Sequence, residues 1–167
     1  MTPVHRLPEG LRLVGFEELS ATTLRDRLLA RRGEFWAGTA LDDETVRALH
    51  DPLFFHQLGG FGAVALTTDD QDAGYLLGVV SADRLAVVHA LAVHPDWRGQ
   101  GVAARLIQRF GTLASGVGGR VLQAVVVPGA PSVDALAARF DAYGHLSPGH
   151  AGPGADRLIL TCALPLP

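Results

Sequence analysis

The chain has 167 residues, of which 48% are hydrophobic and 19% are charged, and its formal net charge at pH 7 is -3. This composition predicts one folded domain over residues 1–167 and excludes a disordered chain. A nucleic-acid partner would need a dense cationic face, and the sequence has no block of Lys or Arg. We therefore expect a small-molecule or peptide partner.

The first residues and the cysteine and histidine content restrict the function further. The opening stretch Met-Thr-Pro-Val-His-Arg-Leu-Pro lacks the apolar run of a secretory signal, so we expect a cytoplasmic protein without a membrane partner. Cys162, the only cysteine, lies in an apolar run, which predicts a buried residue rather than a nucleophile. The seven histidines lack the spacing of a helical zinc pair, so no metal site is predicted.

The first half of the chain is predicted to contain a strand, two helices and three further strands. Residues 11–16 alternate as a strand, and Ser20 caps a helix that Gly33 stops. A short helix is expected over residues 43–50. Three β-rich runs follow, over residues 62–68, 74–81 and 85–93, with Asp69 and Asp70 in a hairpin turn between the first two.

The second half of the chain alternates helices and strands. The spacing predicts a helix over residues 103–114, a strand over 121–127, a helix over 133–143, a short strand near 145–147 and a last strand over 157–163. Residues 1–10 and 147–154 are predicted to be irregular. The order is βααβββαβ(αβ)β, which indicates an α/β (α+β) domain.

The loop between the fourth strand and the next helix carries the strongest functional signal. Residues 98–103 read Arg-Gly-Gln-Gly-Val-Ala, and the glycines allow a close approach of the backbone to a phosphate. The free N–H groups of the helix's first turn favour an anion such as a pyrophosphate. The alternatives are an ordinary strand-to-helix turn, or an anion-binding domain of another kind.

The stretch around this loop resembles a known signature. Residues 89–103, His-Ala-Leu-Ala-Val-His-Pro-Asp-Trp-Arg-Gly-Gln-Gly-Val-Ala, resemble the acetyl-CoA signature of GCN5-related N-acetyltransferases (GNAT), with Arg98, Gly101 and Ala103 at its fixed positions. The resemblance implies a three-layer sandwich: a mixed, mostly antiparallel sheet of six or seven strands with helices on both faces. It implies no metal, and a monomer or a homodimer.

The resemblance also implies a donor site for acetyl-CoA and an amine acceptor. The cofactor-binding residues that it implies are Leu91, Ala92, Val93, Arg98, Gly99, Gln100, Gly101, Val102, Ala103 and Ala104. The pantetheine arm would pair with the fourth strand, and the pyrophosphate would bind at the loop. The implied activity is transfer of an acetyl group to a primary amine of a small molecule or a peptide.

His89 is the candidate general base. Strand alternation is expected to place positions 89, 91 and 93 on one face, and an imidazole suits proton transfer near neutral pH. The strand is similar to that of arylalkylamine N-acetyltransferases, in which a histidine here belongs to a catalytic pair, but Val87 occupies the partner position. A packing role for His89 is the alternative.

Two departures from the family pattern concern catalysis. Phe140 stands where the family commonly has a tyrosine that protonates the thiolate of CoA, and Val133 stands where an asparagine is frequent. Tyr143 or water would then supply the proton, although packing is the more common role for a tyrosine there. An acyl-CoA-binding sensor or scaffold without turnover is therefore the alternative function.

Aromatic residues and His94 are predicted to be structural. Phe35, Trp36, Phe54 and Phe55 are expected in the core rather than in an acceptor pocket. His94, at the end of the fourth strand, is expected to have a structural role.

Overall fold

The structure of the protein is a computed structural model that describes residues 7–53 and 61–167. Its strands are β1 Leu11–Gly15, β2 Phe61–Thr67, β3 Asp72–Val80, β4 Leu85–Val93, β5 Val121–Val126, β6 Tyr143–Ser147 and β7 Arg157–Ala163. Its helices over the described residues are α1 Ala21–Ala30, α2 Arg32–Phe35, α3 Asp43–Leu49, α4 Val102–Gly116 and α5 Pro131–Arg139. None of these helices is long and apolar enough to cross a membrane.

The strands form one sheet in the order β1-β2-β3-β4-β5-β7-β6. All neighbouring strands are antiparallel except β4 and β5, which are parallel and are joined by α4. The predicted fold class, a mixed and mostly antiparallel sheet with helices on both faces, is confirmed. The prediction that Phe54 and Phe55 lie in the core falls outside the described residues.

Two predicted helix boundaries are wrong. The first helix ends at Ala30, before Gly33, because Arg31 leaves the helical conformation (φ -101°, ψ 9°) and a short second helix follows. The last helix ends at Arg139 because Asp141 adopts a left-handed conformation (φ 51°) and closes the helix. Tyr143 is consequently the first residue of β6.

Two hydrophobic clusters lie on the two faces of the sheet. On one face, α4 contributes Leu106 and Phe110, and Cys162 is buried there at 5% exposure, as predicted. On the other face, α1, α2 and α3 cover strands β1–β4, with Leu28 and Phe35 at 0% and 1% exposure. Phe35 is therefore a core residue, as predicted.

Alternate positions of β4 belong to different clusters. Leu91 and Val93 pack with α4, whereas Ala90 and Ala92 pack with α1 and α2. This alternation is what the period of a strand requires. The two faces of β4 therefore serve two different parts of the molecule.

Candidate active site

A wedge opens in the middle of the sheet where β4 and β5 separate. The parallel pairing runs from Leu85↔Val121 to Val88↔Ala124 and then stops. Beyond that point β4 continues to Val93 while paired with β3 alone, and β5 continues to Val126 while paired with β7 alone. The facing edges therefore carry backbone N–H and C=O groups that an extended molecule could pair with.

The loop of residues 98–101 leads from the end of β4 into α4. Gly99 and Gly101 have φ values of +74° and +84°, a region that side chains disfavour. The first backbone hydrogen bond of α4 runs from the Arg105 N–H to the Gly101 carbonyl at 3.1 Å. The amides of residues 102–104 therefore precede the internal bonds of the helix and lie at its N-terminal end beside the wedge, where a helix favours negative charge.

The side chain of Arg98 braces this loop. Its guanidinium donates to the carbonyls of Val93, Ala37 and Phe35, each at 3.0 Å. Arg98 thus ties the end of β4 to the α2 region. A direct contact between Arg98 and a phosphate stays a prediction.

Gln100 and His94 also support the loop through hydrogen bonds. The Gln100 amide donates to the Asp96 carbonyl at 2.9 Å, and the Asp96 N–H donates to Nδ1 of His94 at 3.3 Å. His94 also lies 3.3 Å from Glu34, and its ring packs edge-on against Phe35. These contacts agree with the structural role predicted for His94.

A β-bulge places His89 on the face of α3. Leu77 pairs with Ala90 while Gly78 pairs with Val88, so His89 is an extra residue in β4. Gly78 has no room for a side chain, because a Cβ there would lie 2.5 Å from the Phe110 ring. Because of the bulge, His89 faces α3 whereas Leu91 and Val93 face α4, so the prediction that positions 89, 91 and 93 share one face is wrong.

His89 is half-buried and is held by the backbone of α3. Its Nε2 lies 2.9 Å from the Leu49 carbonyl, and a carbonyl only accepts, so Nε2 carries a hydrogen. The basic nitrogen of the neutral ring is then Nδ1. Burial lowers the pKa of His89, and the bond to Leu49 opposes this shift.

A buried hydrogen-bond chain lies beside His89 and has no counterpart among the sequence-based predictions. Trp36 Nε1–H donates to the Tyr75 hydroxyl at 2.8 Å, and this hydroxyl lies 2.9 Å from Nε2 of His50. Nδ1 of His50 donates to the Val46 carbonyl at 2.7 Å, so Nε2 accepts the proton of Tyr75. The signal in the sequence was Tyr75 within an apolar strand, since a buried hydroxyl needs a partner.

The environment of this chain keeps its titratable groups neutral. Both Tyr75 and His50 are fully buried, at 0% exposure. Burial raises the pKa of Tyr75 and lowers that of His50, whose neighbour His89 lowers it further. Trp36, predicted as a core residue, packs against the buried cluster of α1 and α2.

Phe140 and Tyr143 have opposite environments. Phe140 is buried at 6% exposure in the cluster of α4, so it contributes packing. Tyr143 is 67% exposed, so the expectation that it packs is wrong. Over the described residues, no group of three or more His, Cys, Asp or Glu side chains could hold a metal ion.

Comparisons with known proteins agree on the fold. The ribosomal-protein-S18-alanine N-acetyltransferase of Escherichia coli matches with a TM-score of 0.70 and 15% identity, covering 92% of this chain and 94% of that chain. A phosphinothricin acetyltransferase of Sinorhizobium meliloti, solved in complex with acetyl-CoA, matches with a TM-score of 0.64 and 18% identity over 93% and 89%. A mutant spermidine N-acetyltransferase SpeG of Vibrio cholerae matches with a TM-score of 0.64 and 15% identity over 92% and 94%.

The sequence comparison identifies the family. No curated protein sequence matches the chain. Residues 56–140, more than half of the chain, match the family described as the acetyltransferase (GNAT) domain. This match includes β4, the loop, α4 and β5, the elements that form the wedge and the helix N-terminus beside it. The chain therefore belongs to the GNAT acetyltransferase family.

Proposed function

We propose that the protein transfers an acetyl group from acetyl-CoA to a primary amine of a small molecule or a peptide, by direct attack within a ternary complex. The observation that carries this proposal is the wedge between β4 and β5, which opens beside the N-terminus of α4. A thioester with a long amide-bearing arm and a pyrophosphate needs both features in this arrangement. The family match supports the same reaction class.

The donor would bind mainly through backbone groups. The pantetheine arm pairs with the edge of β4 at Leu91, Ala92 and Val93, which have no partner on the β5 side. The pyrophosphate lies against the amides of residues 99–104, where the helix dipole favours negative charge. A backbone N–H near Leu91 polarises the thioester carbonyl as its carbon becomes tetrahedral.

The chemistry requires one proton to leave the amine and one to reach the thiolate. The amine nitrogen forms a bond to the acetyl carbon, the C–S bond breaks, and CoA leaves as a thiolate. An alkyl amine arrives protonated, so it needs a base, and we assign Nδ1 of His89 to this role. The lowered pKa of His89 keeps the ring neutral and able to accept a proton at pH 7.

The leaving thiolate has two possible proton sources in this proposal. Phe140 has no proton to donate, and it is buried in the cluster of α4. Tyr143 is exposed, so this hydroxyl or water supplies the proton. Because Phe140 cannot donate a proton, a second candidate function is an acyl-CoA-binding sensor or scaffold without turnover.

Titration calorimetry and a thiol-release assay test these functions together. We expect acetyl-CoA to bind at least about 100-fold more tightly than acetyl-pantetheine, which lacks the pyrophosphate. Release of free CoA over a panel of primary amines then supports the transferase. Tight donor binding without turnover for any amine supports the sensor, and no binding of acetyl-CoA contradicts both.

A further inference from the structure

Over the residues that the structure describes, no helix covers one face of the sheet half formed by β5, β7 and β6. Helices α1, α2 and α3 pack on strands β1–β4, and their cluster includes no residue of β5, β6 or β7. Val125 remains 45% exposed and Tyr143 67% exposed. Exposure of a valine on an interior strand to water costs free energy, and a bound apolar group would remove this exposure.

The pairing shows which residues share this face. Gln123 Nε2 donates to Thr161 Oγ1 at 3.1 Å, which places both side chains on one side of the sheet. Directly paired strand residues share a face, and so do residues two apart. From the pairs Gln123↔Thr161↔Tyr143 and Val125↔Ile159↔His145, the surface that we call the acceptor face consists of Gln123, Val125, Ile159, Thr161, Tyr143 and His145.

The acceptor face is continuous with the wedge and with His89. Val87 pairs with Gln123 and packs opposite Val79, which contacts the cluster of α1 and α2. His89, two residues further along β4, faces the same side through its bond to Leu49. Val125 follows Ala124, the last residue of β5 that pairs with β4, and so borders the opening of the wedge.

The charge of this region disfavours a polycation. Strands β5, β6 and β7 contain no Asp or Glu, and Arg157 is their one Lys or Arg residue. A cavity of about 140 Å³ between α2 and α3 is lined by Asp43, but that carboxylate already binds Arg32 at 2.6 Å and Arg47 at 2.8 Å. A second ammonium group on the acceptor would find no carboxylate on the described strands β5, β6 and β7, and the one carboxylate that lines this cavity is already paired.

We infer that the acceptor face binds the carbon skeleton of the amine substrate, and that this skeleton is uncharged and apolar, aromatic or branched aliphatic, rather than that of a polyamine. The inference rests on the proposed function, because it needs the thioester in the wedge. The amine group then points to His89 while the skeleton covers Val125 and extends toward His145 and Tyr143. Burial of apolar surface drives this binding.

Calorimetry on the CoA-saturated protein at low salt tests the inference without requiring turnover. The two probes are 2-phenylethylamine and 1,4-diaminobutane, primary amines of similar length that differ in the second charge. We expect a Kd about tenfold lower for 2-phenylethylamine. Substituting His145→Glu adds a carboxylate to the acceptor face and should reduce this preference about tenfold.

The matched control is Leu146→Glu, which makes the same charge change on the next residue of β6. Leu146 is 49% exposed and lies on the opposite face of the strand, so the preference should change less than about twofold. An equal effect of both variants would overturn the inference. So would tighter binding of the diamine by the unaltered protein, or binding of neither amine.

Two further readouts distinguish binding of the amine from self-association and from loss of the donor site. Light scattering of both variants reports the association state, and a change for His145→Glu alone would assign the face to a second copy of the chain instead. The Kd for CoA itself should be the same in all three proteins. Failure of the unaltered protein to bind CoA would refute the proposed function, whereas normal CoA binding without the expected preference refutes this inference alone.

Discussion

The two sides of the wedge are built in different ways. On the proposed donor side, the groups expected to face the ligand are backbone amides, and the side chains of Arg98 and Gln100 are bonded to carbonyls of the protein. On the acceptor side, side chains such as His89 and Tyr75 are held by hydrogen bonds to residues distant in sequence. Substitutions should therefore act through backbone conformation on the donor side and through side-chain chemistry on the acceptor side.

Gly101→Val should have the largest effect and tests the backbone character of the donor side. The φ of +84° at Gly101 strains any side chain, and a branched one also obstructs the approach of a phosphate. We expect acetyl-CoA affinity to fall more than about 100-fold in titration calorimetry.

Gly118→Val is the matched control for Gly101→Val. Gly118 has a similar φ of +86°, follows the C-terminal end of α4, and a Cβ there meets nothing within 4 Å. Both variants should lose similar stability in thermal unfolding, but only Gly101→Val should lose the donor. A normal Kd for Gly101→Val would refute the backbone site.

His89→Gln tests the side-chain character of the acceptor side. Glutamine can keep the bond to the Leu49 carbonyl but cannot act as a base, so kcat should fall about 100-fold while the Kd for acetyl-CoA is unchanged. Because burial lowers the pKa of His89, kcat of the unaltered enzyme should decline only below about pH 6.5. The variant should lack this decline.

The control for His89→Gln is the same substitution at His150, an exposed residue of the loop before β7. The His150→Gln variant should have the same kcat and the same pH profile as the unaltered enzyme. If His89→Gln also retains the rate and the pH profile of the unaltered enzyme, His89 only packs against α3 and another group is the base.

Tyr75→Phe measures the hydrogen-bond chain that supports the acceptor side. Loss of the hydroxyl leaves Trp36 Nε1 and His50 Nε2 without this partner in a buried site, so the free energy of unfolding should fall by about 3 kcal/mol. Urea denaturation measures the change. Tyr143→Phe, at the chain's other tyrosine, should cost less than about 0.5 kcal/mol because Tyr143 is exposed.

Arg98→Lys separates bracing from a phosphate contact. Lysine keeps the positive charge but lacks the planar group that reaches the carbonyls of Val93, Ala37 and Phe35. If bracing is the role, Arg98→Lys and Arg98→Gln should weaken acetyl-CoA binding equally, by about tenfold. Retained affinity in Arg98→Lys alone would assign Arg98 to the pyrophosphate.

The sequence predicted the loop and helix of the proposed donor side better than the elements of the proposed acceptor side, and the difference has a physical cause. Glycine spacing and the change from strand to helix period are local signals, so the loop at residues 98–101 and α4 could be placed from the sequence alone. The bulge at His89 depends on how β4 pairs with β3, and the Phe110 ring lies over Gly78 next to it. Such contacts between distant segments leave little local signal.

The same reason explains the errors at Tyr143 and in the buried chain. Apolar spacing extended the last helix to residue 143, whereas the left-handed Asp141 ends it earlier and moves Tyr143 to an edge strand. His50 follows a short helix in the sequence, and only the fold places its ring against Tyr75. Residue type could indicate that Tyr75 needed a partner, but not which residue would provide it.

The smallest expected effect is the dependence of stability on pH, which tests whether the acceptor side is buried in a neutral state. The pKa of His50 is lowered in the folded protein by burial, so the unfolded chain binds more protons. The contribution of His50 to the free energy of unfolding is fully present above about pH 6.5. It is lost as the pH falls toward the lowered pKa of His50 in the folded protein. Between pH 7 and 5.5 we expect the free energy of unfolding, measured by urea denaturation, to fall by about 1 kcal/mol for each buried histidine.

Carboxylates should contribute little in this range of pH. The pKa of Asp43 is lowered to about 2 by Arg32 and Arg47, so its contribution is lost only below about pH 4. His50→Gln should therefore reduce the pH dependence between 7 and 5.5, whereas His150→Gln should not. If stability depends on pH equally in the two variants, His50 accepts a proton in the folded state. The hydrogen-bond chain that runs from Trp36 through Tyr75 and His50 to Val46 would then not hold the His50 ring neutral.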